Sequence, residues 1–230
     1  MKNIKFVSAS VLALTMIGLA APAFADVSTT TDNTVTFTSG ALSLDGVSSF
    51  DFGTHPLSAT NQTYVGTGVA WATPLTAAMD NTGAATTLTT GIAPINTIGA
   101  NIQVTDVRGS NAGWKVQVLA QSGFSTDAAT PANGTGIKGS VIHLTAGTPQ
   151  FPSTASAPSV LPPLTLNTGS TGADSAGAQT LIKADQSSDG TVGAGTTSTP
   201  LSAKVDIPAG SALAKSYTAV INWNLAATPN

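Results

Sequence analysis

Residues 217 to 225 read Tyr-Thr-Ala-Val-Ile-Asn-Trp-Asn-Leu. Tyr217, Ala219, Ile221, Trp223 and Leu225 stand on one side of a period of two, against Thr218, Asn222 and Asn224. A helix places apolar residues three and four apart, so this spacing is compatible only with a strand that has one buried face. The same period recurs along the chain. Val35 and Phe37 alternate with Thr34, Thr36 and Thr38; Leu42 and Leu44 alternate with Ser43 and Asp45. Phe50 and Phe52 flank Asp51, and Gly53 ends that run. Ile102 and Val104 share a face, with Gln103 and Thr105 opposite. Trp114, Val116 and Val118 alternate with Lys115 and Gln117, and Ile142 and Leu144 with Val141, His143 and Thr145. Val205 and Ile207 lead into Pro208. Gly, Pro, Ser, Thr and Asn, the usual turn formers, separate these runs.

The pattern predicts an all-β protein: an antiparallel β-sandwich with long Gly/Ser/Thr-rich loops. Residues 72–91, 147–163 and 168–200 are expected to be those loops. Composition supports the class. The chain of 230 residues holds 36 Thr and 23 Ser, and only 8% of it is charged, against about 25% in an ordinary soluble domain. All eleven acids are Asp and Arg108 is the only arginine. That is too little charge for ion-paired helices or for a basic face that neutralises phosphates, so no nucleic-acid partner is expected. With no cysteine, thiolate metal sites and disulfides are excluded.

Lys2 and Lys5 precede an almost wholly apolar stretch from Phe6 to Ala20, then Pro22 and Ala23-Phe24-Ala25. This order is that of a signal peptide, expected to be cleaved after Ala25. The apolar stretch is short for a membrane span, which needs about 20 residues, and no second one follows. Residues 26–230 are then one exported all-β domain with six bases against eleven acids, a net charge of −5. The missing cysteine removes a lipid anchor. Leu161-Pro162-Pro163-Leu164-Thr165 lacks the Thr-Gly step of a sortase signal.

Chemistry-bearing constellations are sparse. No Ser has Gly at both flanking positions of a nucleophile elbow, and no paired-histidine zinc motif exists. His143 falls opposite Ile142 and Leu144, facing solvent, and His55 precedes Pro56 at a turn. Asp185 to Asp189 lacks the Gly and Glu of an EF-hand loop. No enzyme and no cofactor is expected. Asp106 and Arg108 sit two apart at a strand end, spaced for a bidentate pair that locks the turn before Trp114. Trp114-Lys115-Val116 and Trp223-Asn224-Leu225 each put Trp and an aliphatic side chain on one face. Two uses are open to them: core anchors packing between sheets, or an aromatic platform against sugar rings or a partner.

The runs Val104-Thr105-Asp106-Val107-Arg108-Gly109, Gly113-Trp114-Lys115-Val116 and Tyr217 to Leu225, with Pro229 near the end, resemble the WxL surface proteins of Gram-positive bacteria. Leu42-x-Leu44 followed by Phe50-Asp51-Phe52-Gly53 resembles that family's opening. The first tripeptide ends in Val where the family pattern has Leu. The resemblance implies an extracellular protein held non-covalently on peptidoglycan. It also implies companions, other WxL proteins or wall- and membrane-anchored surface proteins, and a role in adhesion. By it, Trp114, Val116, Trp223 and Leu225 carry the wall-binding motif, with Asp106, Arg108, Tyr217, Phe52 and Gly53 as structural members. Two rival functions remain: an assembly subunit whose ligand is another surface protein, and a secreted glycan hydrolase.

Overall fold

The computed structural model describes residues 34–227, apart from 81, 83, 96–98, 111, 128–134, 153–154, 168–176 and 187–191. The chain divides into two compact units, residues 1–37 and 38–230. Of the first, residues 34–37 are described. They form no strand, and Val35 and Phe37 are exposed. The alternation there is genuine, but a strand also needs a neighbour to complete its backbone ladder.

Within 38–230 the described residues form fourteen strands and no helix. They are β1 (Leu42–Val47), β2 (Ser49–Asp51), β3 (Gln62–Val65), β4 (Thr67–Val69), β5 (Ala77–Met79), β6 (Ala85–Thr87) and β7 (Asn101–Asp106). There follow β8 (Trp114–Ser125), β9 (Val141–Ala146), β10 (Ser159–Val160), β11 (Leu164–Asn167), β12 (Gln179–Ala184), β13 (Gly195–Ile207) and β14 (Thr218–Ala226). The larger sheet runs β11-β9-β13-β7-β1-β5-β6, with β3 also on β13; the smaller runs β10-β12-β8-β14; β2 and β4 form a short ribbon. Every strand pair within these sheets is antiparallel. Ile102, Val104, Ile142, Leu144 and Leu166 from the larger sheet join Trp114, Val116, Val118 and Ile182 from the smaller in one apolar core. The expected all-β architecture is therefore the one found.

Strand β13 organises the larger sheet. Gly195 to Pro200 pair with β7, whereas Leu201 to Asp206 pair with β9, and Lys204 to Ile207 also pair with β3. Pro200 sits where β13 changes neighbours, a position at which a missing N–H is tolerated. The sequence places residues 168–200 in a loop; β12 and the first half of β13 lie there instead. β5 and β6 occupy the expected 72–91 loop.

These added strands explain a second difference. Ser43, Asp45, Gln103 and Thr105 are buried, not solvent-facing. Trp71, Ala93 and Ile95 cover that face. Trp71 Nε1 donates to Asn101 Oδ1 (2.8 Å), Ile95 N donates to Gln103 Oε1 (2.7 Å), and Gln103 Nε2 donates to Ala93 O (2.9 Å). Within this layer the Asp45 carboxylate accepts from Ser43 Oγ, from Gln103 Nε2 (2.9 Å) and from Thr105 Oγ1 (2.7 Å). Burial nevertheless outweighs these bonds and raises its pKa above the ordinary 3.8.

A raised carboxyl pKa contributes stability that is full below the unfolded value and is lost as pH rises through the folded one. The protein is therefore expected to gain stability from Asp45 on acidification from neutral pH towards 3.8. Asp45→Asn should remove that gain. Melting temperatures of both proteins across this range test it; parallel profiles would exclude Asp45 as the source. Asp206 acts in a separate window. Hydrogen bonds from Thr63 and His143 lower its pKa, so its small contribution disappears only below 3.8.

Candidate functional site: the tryptophan strands and the cleft beside them

The two tryptophan tripeptides lie on adjacent strands. In the β8–β14 ladder Leu225 stands opposite Val116, and Trp223 opposite Val118. Directly paired residues share a sheet face, so Trp114, Val116, Trp223 and Leu225 all point inward. Their environments differ because β8 is an interior strand and β14 an edge. Trp114 and Val116 are completely buried; Trp223 and Leu225 are half-buried. Trp114 Nε1 donates to Gly193 O at 3.2 Å. Gly193 has φ +66°, and a Cβ there would lie 2.8 Å from Trp114 Nε1. The backbone comes this close to the indole only because the residue is glycine. Of the two uses open to the pair, Trp114 takes that of core anchor. Trp223 is the motif tryptophan with surface to offer.

Asp106, at the end of β7, and Arg108 form a bidentate pair. Nε donates to Oδ1 at 2.9 Å and Nη2 to Oδ2 at 2.8 Å. Nη2 also donates to Gly113 O (2.8 Å), just before β8, and Nη1 to Ala227 O (3.4 Å), just after β14. Arg108 is 2% exposed. The lone arginine thus ties together the ends of the strands that carry both tripeptides.

At the other end of β14 an open cleft of about 1310 Å³ lies between the sheets. Phe50, Phe52, Tyr217 and Trp223 line it. Phe52 packs edge-on against Phe124, with centroids 5.8 Å apart. Gly53, at φ +78°, turns the chain after Phe52, and its N–H donates to Asp51 Oδ1 (2.8 Å). Tyr217 Oη accepts from Leu213 N (2.8 Å), which fixes the loop before β14. Leu57, Val69 and Leu213 leave 60%, 49% and 52% of their surface exposed at this cleft.

The structure therefore brings Phe52, Tyr217 and Trp223 to one cleft and leaves Trp114 and Val116 in the core. It also supplies wall residues that sequence patterning missed. His55 stacks flat on Tyr64, with centroids 3.7 Å apart and planes within 10°. Tyr64 belongs to β3, a strand of four residues with no long alternation to mark it. His143, expected to face solvent, is half-buried and bonds Asp206 Oδ2 through Nε2 (2.7 Å). Asp185 pairs with Lys183 (2.7 Å); Asp189 lies outside the described residues. Among the described residues there is no cluster of three metal-ligating side chains, and no helix is long and apolar enough to cross a membrane.

Fold and site together define an antiparallel sandwich whose paired tryptophan strands end beside an open aromatic cleft. The chain matches the family model of the WxL domain, described as surface cell wall-binding, over residues 21–229. It belongs to this family and is a cell-surface, cell-wall-binding protein. No curated protein and no solved structure matches it.

Proposed function

We propose that the protein is a non-catalytic component of the surface, exported by cleavage after Ala25 and held non-covalently on peptidoglycan by residues 26–230. The observation that carries this is the unequal exposure of the motif. Trp223 and Leu225 present surface on an edge strand, while Trp114 and Val116 are sealed in the core and hold that strand in place. The exported chain carries a net charge of −5, so long-range attraction to an anionic wall cannot drive the encounter. Stacking on Trp223 and hydrogen bonds to sugar and peptide groups must supply the affinity.

Purified insoluble peptidoglycan is expected to pull the exported protein into the pellet. Trp223→Ala should shift most of it to the supernatant while leaving a cooperative melt. Wild-type protein recovered only in the supernatant would sink this function. A second role, assembly with other WxL or anchored surface proteins in adhesive complexes, is favoured by the apolar rim of Leu57, Val69 and Leu213. Binding to whole cells well above that to deproteinised wall would support it.

A further inference from the structure

Residues 34–38, Thr-Val-Thr-Phe-Thr, alternate strictly and carry no charge. They form no strand, and Val35 and Phe37 are 76% and 87% exposed. In an extended chain, side chains two residues apart stand on one face about 6.6 to 6.8 Å from each other. This arm therefore offers a paired apolar face and, among the described residues, a backbone that belongs to no strand ladder. The cleft offers the complement. The outer edge of β14 pairs with no strand among the described residues, and Tyr217 with the Thr218–Ile221 start of β14 borders a floor of Phe50 and Phe52 and an exposed Leu213. An uncharged arm also meets no like-charge repulsion from an acidic molecule.

We propose that the arm of one molecule adds as a strand to the free edge of β14 in a second copy, seating Val35 and Phe37 in the apolar end of its cleft. Chain reach favours a second copy. Gly40 N donates to Val107 O (2.9 Å) and Val107 N to Ala41 O (3.0 Å), so the arm departs from the Leu42 end of β1. Phe37 is three residues from Gly40, at most about 11 Å. Along β1 the cleft begins at Val47, five residues and about 17 Å from Leu42. Such a contact joins two different surfaces, so a pair retains one free arm and one free cleft, and association continues into rings or open rows. The arm covers the Thr218 end of β14 and leaves Leu225 to the wall.

Sedimentation of the exported full chain tests this. Wild-type protein should associate as its concentration rises. Phe37→Asp in the arm and Leu213→Asp in the cleft should each weaken association by about tenfold or more. Both side chains are exposed, so both variants should melt like the wild type. Mixing the two variants should restore pairing, because the intact arm of one meets the intact cleft of the other. A wild-type chain that stays monomeric, Phe37→Asp protein that associates normally, or a mixture that does not recover would overturn the proposal. So would slow hydrogen exchange of residues 34–38 in a monomer, the mark of docking within one molecule. Phe37→Asp should still pellet with peptidoglycan, so loss of wall binding and loss of self-association are separate outcomes.

Discussion

Trp114→Ala is expected to cost about 3–5 kcal/mol of folding stability, the range for deleting a buried aromatic side chain. Trp114 has no exposed surface and heads β8, an interior strand of the smaller sheet. Its indole also satisfies the Gly193 carbonyl, which the truncation would leave without that donor. The site can collapse only partially, because its near neighbours, Gly193 and Ala184, have little side chain to move into the space. Trp114→Phe keeps most of the ring volume and should recover the larger part of the loss. Trp223→Ala, on a half-exposed edge, should cost markedly less, since a smaller area leaves water on folding. Urea unfolding of the three variants with an unchanged slope would measure this order. Equal losses for Trp114→Ala and Trp223→Ala would contradict the division of the motif into core and surface members.

That division was hidden in the sequence. Trp114-Lys115-Val116 and Trp223-Asn224-Leu225 have the same period, and alternation reports which side chains share a face, not whether the strand is interior or edge. Where a strand packs an apolar face on the core, the pattern was legible: β7 at Ile102 and Val104, β8 at Trp114 to Val118, β9 at Ile142 and Leu144, and β14 at Ile221 to Leu225. It failed where the far face is also covered. Ser43, Asp45, Gln103 and Thr105 look like a wet face because their cover, Trp71, Ala93 and Ile95, lies outside the alternating strands and consists partly of backbone groups. The first half of β13 has the composition of a loop because Thr197, Ser198 and Thr199 bury hydroxyls where a core strand ordinarily buries apolar side chains. The cleft was least legible of all. Phe52, Tyr64, Phe124 and Tyr217 come from distant segments, and none announces a common site until the sheets assemble.

Arg108→Met is expected to destabilise the protein by about 3–5 kcal/mol, the usual result of stripping one partner from a buried ion pair. Methionine keeps much of the aliphatic stem but none of the donors. Asp106, whose side chain is only 13% exposed, would lose both arms of its bidentate partner. The Gly113 and Ala227 carbonyls would lose theirs, loosening β8 and β14 at the end where Val116 faces Leu225. Lysine should not rescue the site, because a single ammonium cannot reproduce the planar fork that reaches Asp106 and Gly113 together. Added salt should change the wild-type contribution little, since screening acts mainly on exposed charges. The double variant Asp106→Leu/Arg108→Met separates the cost of an orphaned carboxylate from that of lost tethering. If the orphan dominates, the double variant is more stable than Arg108→Met alone; if the tethers to Gly113 and Ala227 dominate, it is no better. A loss below about 1 kcal/mol for Arg108→Met would place this pair with ordinary surface ion pairs. It would then no longer explain why the chain's one arginine sits where the ends of β7, β8 and β14 meet.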